Sequence, residues 1–393
     1  MHSPSEILIS ASAYSHNLAW LRRELGPGVV LASVVKANAY GHGIDVMIPL
    51  AERLGVRDFA VFSADEARAV RAAGGEGSGV MIMGYVADED LDWAVAEGVA
   101  FYVFDLDRLS AARAAAERVG RPARIHLQIE TGMNRVGLDE SALAEAAALV
   151  AGAASCLEVE GVCTHLAGAE SVGNHLRIQE QLRRFHERCD FLGERGLSPG
   201  RRHVASSAAA LVMPEARLDL VRIGISQYGY WPSQEIRMRF MLERTRGGSR
   251  RFRDPLMRVM TWRSRIMSLK EVAPGDFVGY GISYQATRRQ LIAAVPVGYY
   301  HGFERSLSNR GHVLIHGRRA AVLGLVNMNM MMVDVTDCPG VARGDEVVLI
   351  GRQGKKQISV GSFGDLSGLL NYEILARIPR DLPRHVIEST PKA

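Results

Sequence analysis

The chain has 393 residues, enough for two domains or for one large barrel with a smaller partner domain. Hydrophobic residues make up 47% of it and charged residues 23%, as in ordinary globular proteins. A formal net charge of only +4 gives no case for nucleic-acid binding. No apolar run approaches the roughly 18 residues that a membrane-spanning helix needs.

The cysteines and the N-terminal segment indicate the compartment. Four cysteines, Cys156, Cys163, Cys189 and Cys338, show neither a CxxC motif nor the spacing of a metal site. They are typical of reduced thiols. Residues 1–18 have neither the basic start nor the apolar core of a signal peptide. We therefore expect a cytoplasmic protein without a metal site.

From about residue 10 to residue 230, short apolar runs alternate with stretches of helical period such as 63–74 and 141–154. Ser63 and Glu66 have the spacing of a capping box at the start of one helix. The eight apolar runs lie at 29–35, 58–62, 79–84, 99–104, 123–129, 157–163, 201–206 and 218–224. Eight such runs predict a (β/α)8 barrel. An open doubly wound sheet is the alternative, but no GxGxxG motif follows the first run.

The pattern changes near residue 231. Residues 231–256 include seven arginines between 237 and 253 and a Gly-Gly-Ser break, and a solvated loop is the preferred interpretation. Strand-like alternation then dominates, at 256–269, 291–300, 311–317, 319–326, 330–336 and 345–351. We predict a barrel domain over 1–240 and a mainly antiparallel β domain over 241–393, with residues 1–9 as a candidate strand of the second domain.

The most informative stretch is "VVKANAYGHG" at 34–43. Lys36 directly follows the first apolar run, so it is expected at the C-terminal mouth of the barrel, where active sites form. Burial there would lower the lysine pKa from about 10.4 and supply the free amine that a Schiff base needs. A solvated lysine at a strand end is the ordinary alternative. Tyr40 lies four residues on, at helical spacing, and the Gly-His-Gly turn permits close backbone approach to a ligand.

This stretch resembles the pyridoxal-phosphate motif of the alanine racemases, which are fold type III enzymes. Further blocks resemble that family in the same order along nearly the whole chain: "ETGMNRVGL" (130–138), "THLA" (164–167), "SSAA" (206–209), "VRIGISQYG" (221–229), "YGISYQA" (280–286), "PVGYYHG" (296–302), "NMN" (327–329) and "NYE" (371–373). The resemblance implies a barrel followed by a β domain, pyridoxal 5'-phosphate as cofactor and alanine as the expected substrate. It also implies a homodimer with shared active sites.

The resemblance assigns the proton transfers to Lys36, which also holds the cofactor, and to Tyr280 of the other subunit. Racemisation needs two groups because the proton leaves one face of the α-carbon and returns to the other. His165 matches the histidine that contacts this tyrosine. Arg222 matches the residue that faces the pyridine nitrogen. An arginine keeps its own protons, so the pyridine remains unprotonated and is a weaker electron sink, which favours racemisation over transamination.

The other matched residues fall into three groups. The phosphate would be held by hydroxyls and backbone amides, from Tyr40, Ser207, Tyr372, Gly224 and Ile225. The groups near the substrate carboxylate are Arg135 and the backbone of Met328. The access channel would be lined by Glu170, Tyr299, Arg305 and Asn329.

Five positions depart from the family pattern. Gln128 stands where many members have a carbamylated lysine, and Ser206 replaces an asparagine. His301, Leu325 and Asn329 replace an aspartate, an arginine and an aspartate. These changes leave the proton-transfer residues intact and predict an altered channel.

Several alternatives remain open. One is a racemase of broader or different specificity, for serine, lysine or arginine. Another is a non-catalytic pyridoxal-phosphate carrier, although such proteins resemble a bare barrel without Tyr280. A third is a decarboxylase or a D-amino-acid aldolase on the same scaffold. The physiological pathway also remains open.

Overall fold

The structure, a computed structural model, describes residues 3–75, 77–245 and 253–389. The described residues form two compact units. The barrel unit comprises residues 16–37 and 47–257, and the β unit comprises residues 3–15, 38–46 and 258–389. The predicted domain boundary at residue 240 stays a prediction.

The strands begin with β1 (Ser5–Ser10), which belongs to the β unit. The strands of the barrel unit follow: β2 (Val30–Val34), β3 (Asp58–Val61), β4 (Gly79–Ile82), β5 (Ala100–Val103), β6 (Ala123–Gln128), β7 (Leu157–Cys163), β8 (Arg201–His203) and β9 (Leu220–Ile223). Each of these eight lies within one of the eight apolar runs of the sequence.

All neighbours in the barrel sheet are parallel, in the order β8-β7-β6-β5-β4-β3-β2-β9. Backbone hydrogen bonds also join the two outermost strands, from Asp219 N–H to the Arg202 carbonyl at 3.1 Å and from Arg222 N–H to the Ala205 carbonyl at 3.0 Å. The sheet therefore nearly closes, and the predicted (β/α)8 barrel is confirmed. The carboxyl ends of all eight strands face one end of this barrel.

The helices up to residue 245 are α1 (Ala11–Leu25), α2 (Lys36–Tyr40), α3 (Ile44–Arg53), α4 (Ala64–Ala73), α5 (Asp88–Ala96), α6 (Leu106–Val119), α7 (Glu140–Gly152), α8 (His175–Glu194), α9 (Ser207–Val212) and α10 (Gln234–Thr245). Most pack a buried face of small and aliphatic side chains against the barrel strands, as in α6 and α7. Short 3₁₀ turns lie at Val172–Asn174, Pro214–Ala216, Ile225–Tyr228, Tyr299–His301 and Arg305–Leu307. None of the described helices is long and apolar enough to cross a membrane.

Helix α10 corrects the interpretation of residues 231–256 as a solvated loop. Phe240 is buried in this helix, with its ring centroid 5.6 Å from that of Trp20 and 5.2 Å from that of Trp231. Arg237 and Arg239 of this helix are half-buried, and Arg239 pairs with Glu243 at 2.9 Å. An aromatic anchor thus holds a helix that the arginine content did not suggest. Residues 246–252 of this stretch lie outside the described residues.

The remaining strands form a mainly antiparallel sheet: β10 (Met260–Arg265), β11 (Ser268–Val272), β12 (Gln290–Val295), β13 (His312–Ile315), β14 (Arg318–Leu323), β15 (Met331–Asp334), β16 (Glu346–Gln353), β17 (Lys356–Ile358) and β18 (Arg384–Ile387). The order is β11-β12-β15-β14-β13-β16-β10-β1-β18, and β17 pairs with β16. The N-terminal β1 pairs antiparallel with β10 and parallel with β18. Two helices that the sequence did not reveal, α11 (Val360–Ser367) and α12 (Asn371–Ala376), lie near the C-terminus. The predicted appended β fold is confirmed.

Candidate active site

The segment that follows β2 is a left-handed helical turn. Ala37, Asn38, Ala39 and Tyr40 all have φ between 52° and 53°. This conformation places Cβ close to the next carbonyl and costs roughly 1–2 kcal/mol per residue that is not glycine. Sequence spacing predicted an ordinary helical turn, and the handedness is a finding of the structure. A turn of this kind persists only where its surroundings hold it.

Glu66 helps to stabilise this left-handed turn. Its carboxylate accepts a hydrogen bond from the Ala37 N–H at 2.7 Å and another from the Phe62 N–H at 2.8 Å. Ser63 caps α4 by accepting from the Glu66 N–H at 3.5 Å, so only one half of the predicted capping box forms. The other half of the capping box does not form, because the Glu66 side chain accepts instead from the backbone N–H of Ala37, immediately after Lys36. Glu66 is only 8% exposed, so these bonds are shielded from water.

Lys36 itself is half-buried at the C-terminal end of β2. Burial lowers the pKa of its amine, the Glu66 carboxylate opposes that shift, and the cations of Arg135 and Arg222 add to it. A lowered pKa increases the fraction of free amine, which is the form that attacks a carbonyl. The surroundings of Lys36 therefore favour the free amine more than full solvation would.

Arg222 lies on β9, directly beside β2, in register with Ala32. Its side chain is buried and makes four hydrogen bonds. One terminal nitrogen donates to His203 Nδ1 at 2.6 Å and to the His203 carbonyl at 3.0 Å. The other donates to the carbonyls of Thr164 at 2.9 Å and Val204 at 3.1 Å. The Nε–H makes no hydrogen bond with the described residues, so one donor remains for a ligand.

Two further predicted residues lie in the same unit. Burial and the neighbouring cations lower the pKa of His165 to about 3, so its imidazole is neutral near pH 7. Ser207 Oγ is buried and accepts a hydrogen bond from the Gly224 N–H at 2.9 Å. The serine O–H is thereby left to donate elsewhere. Ile225, which begins a 3₁₀ turn, is also buried.

Arg135 and Gln128 differ in their surroundings. Arg135 is exposed in the loop that follows β6, next to Asn134 at a φ of 56°. Gln128 is buried at the end of β6 and donates to the Val136 carbonyl at 3.4 Å. Glu170, predicted to line the channel, is half-buried, and its carbonyl accepts from the Ser233 hydroxyl at 2.6 Å.

In the β unit, the structure brings Tyr40 and Tyr372 together, with ring centroids 6.1 Å apart. Gly41 packs so closely on the chain after Tyr372 that a Cβ would lie 2.2 Å from the Leu375 carbonyl oxygen. The Arg384 guanidinium donates to the Gly41 carbonyl at 2.9 and 3.0 Å. The first glycine of the Gly-His-Gly turn thus approaches backbone closely, and the expected close approach of this turn to a ligand stays a prediction.

The other predicted residues of the β unit lie on an exposed surface. Tyr280 is 73% exposed, and Tyr299, Arg305, Met328 and Asn329 are exposed as well. His301 and Leu325, which depart from the family pattern, are less exposed than these residues. His301 is buried and accepts from the Gly298 N–H at 3.2 Å, and burial lowers its pKa. Leu325 is half-buried.

Comparison with known proteins identifies the family. The model "Alanine racemase, N-terminal domain" matches residues 9–232, and "Alanine racemase, C-terminal domain" matches residues 259–386. The chain belongs to the alanine racemase family. It is 36% identical over 382 residues to the alanine racemase of Symbiobacterium thermophilum, covering 97% of this chain and 96% of that one.

Solved structures agree. Alanine racemase from a D-cycloserine-producing Streptomyces lavendulae matches with a TM-score of 0.87 and 31% identity, covering 98% of each chain. An alanine racemase from Bartonella henselae, described with covalently bound pyridoxal phosphate, has a TM-score of 0.82 and 23% identity, and covers 98% of this chain and 100% of its own. At that identity the second likeness concerns the fold alone. The alanine racemases are a pyridoxal-phosphate-dependent family.

Sequence motifs of the alanine racemase family did not single out three polar residues of this site. Glu66, His126 and His203 each lie in the barrel unit and contact backbone or side chains near Lys36 or Arg222. The two histidines interrupt apolar runs that form buried strands. Polar residues in buried strands must be hydrogen-bonded. A histidine within an apolar run was therefore the feature of the sequence that could have indicated these contacts.

Proposed function

We propose that this protein is a pyridoxal-phosphate-dependent racemase that interconverts L- and D-alanine. The observation that carries the proposal is the half-buried Lys36 amine with a lowered pKa, in the same barrel unit as the buried Arg222 cation. Membership of the alanine racemase family supplies the reaction type.

The described residues fit this cofactor. Lys36 offers an amine for covalent attachment, and the Arg222 Nε–H is available to a pyridine nitrogen. The Ser207 hydroxyl and the backbone amides near Ile225 suit a phosphate group, with Tyr40 and Tyr372 as the further hydroxyls that family resemblance assigns to it. Arg222 carries a permanent cation, so it donates a hydrogen bond and keeps its proton.

When bound, the cofactor stabilises negative charge at the substrate α-carbon. The chain's own groups then move the proton. Lys36 acts at one face of the α-carbon, and Tyr280 of the partner subunit acts at the other. The neutral His165 accepts or donates a hydrogen bond without adding a further cation near Lys36.

We also propose that the active unit is a homodimer. In the β unit, Tyr280 is exposed, and so are the large apolar side chains of Phe277, Ile282, Met328 and Leu370, at 53%, 82%, 54% and 66%. We propose that a partner subunit covers part of this exposed apolar surface. In a dimer with two-fold symmetry, each Tyr280 would lie near the partner's Lys36, so that two equivalent sites form.

The test is direct. The purified protein is incubated with pyridoxal phosphate and single L-amino acids, and the D-enantiomer is measured by chiral chromatography. D-alanine formation is expected, together with solvent deuterium at the α-carbon. Deuterium exchange without D-product, or decarboxylation instead of inversion, would contradict the proposal.

A further inference from the structure

A chain of polar side chains runs through the interior of the barrel, away from Lys36. Arg222 donates to His203 Nδ1 at 2.6 Å. The other nitrogen of that ring, Nε2, lies 2.9 Å from His126 Nδ1. His126 Nε2 in turn lies 3.9 Å from a carboxylate oxygen of Glu160. Both histidines are buried, at 0% and 2% exposure.

Because arginine can only donate hydrogen bonds, it determines which ring nitrogen carries the proton in both histidines of this series. A guanidinium can only donate, so His203 Nδ1 must be the acceptor and its proton must lie on Nε2. That proton is donated to His126 Nδ1, which leaves the His126 proton on Nε2, directed towards Glu160. Burial lowers the pKa of both imidazoles, that of His126 to about 3, so both rings are neutral as this order requires.

The far end of the chain is anchored by ions. Glu160 lies 2.9 Å from Arg124 and 3.9 Å from Arg201. Arg201 also pairs with Asp58 at 2.6 Å. A cleft of about 690 Å³ lined by these groups opens beside the first residues of β3 and β8, so this end of the barrel is opposite to the end where the strands finish. The His203–His126 pair therefore extends from Arg222 towards this ionic cluster, and the 3.9 Å between His126 and Glu160 is a contact without a hydrogen bond.

We propose that His126 is a positioning residue for Arg222, acting through His203: it supplies the acceptor that keeps the His203 ring oriented towards the guanidinium. The consequence for catalysis rests on the proposed function of Arg222. Without that acceptor the His203 Nε2–H is buried without a partner. Turning the ring to find another partner would take its Nδ1 away from Arg222, so the position of the remaining Arg222 donor would no longer be fixed.

Asparagine and leucine provide a matched pair of variants, since both side chains have four heavy atoms branched at Cγ and only asparagine carries an acceptor near the position of Nδ1. His126→Asn should preserve the bond from His203, and His126→Leu should remove it. Tyr102→Phe is the packing control. The Tyr102 ring lies 6.0 Å from both imidazoles and hydrogen-bonds to neither.

The first measurement is nitrogen-15 NMR of the full-length protein labelled at histidine, with His203 signals assigned by their loss in His203→Asn. In the unsubstituted protein both rings should be neutral with the proton on Nε2, and a coupling across the hydrogen bond should join the two rings. The His203 Nε2 proton should keep a hydrogen-bonded shift in His126→Asn and lose it in His126→Leu. A proton on His203 Nδ1, or unchanged signals in His126→Leu, would overturn the proposal.

The second measurement is steady-state racemisation. His126→Leu should lower kcat about tenfold, which corresponds to about 1.4 kcal/mol. The KM for alanine should change less than about twofold, and His126→Asn and Tyr102→Phe should each keep kcat within about twofold. Equal losses in all three variants would indicate packing and refute a positioning role. If no amino acid is racemised, the proposed function fails, and the NMR result still decides whether the ordered chain exists.

Discussion

Glu66 offers the sharpest test of how the Lys36 segment is held. The left-handed turn of four residues costs roughly 4–8 kcal/mol at 1–2 kcal/mol per residue. Two hydrogen bonds to the buried Glu66 carboxylate, at 2.7 and 2.8 Å, oppose this cost. Bonds to a charged acceptor contribute about 1.5–3 kcal/mol each. In Glu66→Gln the amide oxygen can still accept one of these two hydrogen bonds. The amide nitrogen faces the other backbone N–H and cannot accept from it, so about one hydrogen bond is lost.

We therefore expect Glu66→Gln to lower the free energy of unfolding by about 2 kcal/mol, or Tm by roughly 4–8 °C. Asp65→Asn is the matched control, because it removes the same charge from the same helical turn at a side chain that is 92% exposed. Its effect should stay below about 0.5 kcal/mol. Urea unfolding measures both variants. Equal stabilities for the two would refute the reasoning.

The same substitution has an electrostatic consequence. The Glu66 carboxylate raises the Lys36 pKa against the effect of burial, so its removal lowers that pKa further. Labelling of Lys36 by an amine-selective acylating reagent should shift to lower pH in Glu66→Gln. An unchanged or upward shift would contradict the assigned influence of Glu66.

Three predictions concern the proposed reaction. Lys36→Ala should lose the visible absorbance of the bound cofactor, and borohydride should trap no adduct in it; an adduct at another lysine would overturn the assignment. Tyr280→Phe should keep the cofactor but lose deuterium exchange from L-alanine, and mixing it with Lys36→Ala should restore part of the activity through hybrid dimers. Absence of rescue despite proven subunit exchange would argue against shared sites. The neutral residues Leu325 and Asn329 should widen the substrate range in a panel of alanine, serine, methionine, lysine and arginine. A preference for alanine above about a hundredfold in kcat/KM, or about 2.7 kcal/mol, would exclude this.

The barrel was predictable because its signals are local. Eight apolar runs bounded by polar helices specify eight buried parallel strands, and a lysine at the end of the first run specifies a residue at the mouth. The motif at 34–43 and its companions indicated the family. Each of these inferences needs only neighbouring residues and their order.

The contacts that arrange the site are not local, and the sequence did not reveal them. The hydrogen bond from the Ala37 N–H to the Glu66 carboxylate joins residues 29 positions apart. The His126–His203 bond spans 77 positions and depends on two strands that are not neighbours in the sheet. Helix α10 depends on Trp20, far away in sequence. Spacing rules for one helix or strand carry no information about such pairs.

Buried histidines give the protein a specific sensitivity to acid. His42, His126 and His203 are at most 2% exposed. Burial lowers the pKa of His42 to about 4 and that of His126 to about 3, and it holds that of His203 well below its ordinary value. Unfolding restores a pKa near 6.5, so below that pH the unfolded chain binds more protons than the folded chain. Stability is therefore complete above about pH 6.5 and is lost as the pH falls towards the folded pKa values.

The magnitude follows from the same linkage. Between about pH 7.5 and 5.5 each of these histidines should lower the free energy of unfolding by about 1.4 kcal/mol, and the three together by about 4 kcal/mol. His126→Asn cannot take up its proton, so this variant should lose about 1.4 kcal/mol of the dependence. His385→Asn, at a side chain that is 55% exposed, is the matched surface control. Urea unfolding at the two pH values measures the difference. If His126→Asn kept the full dependence, His126 would already carry its proton in the folded chain, and the neutral, ordered pair with His203 could not exist.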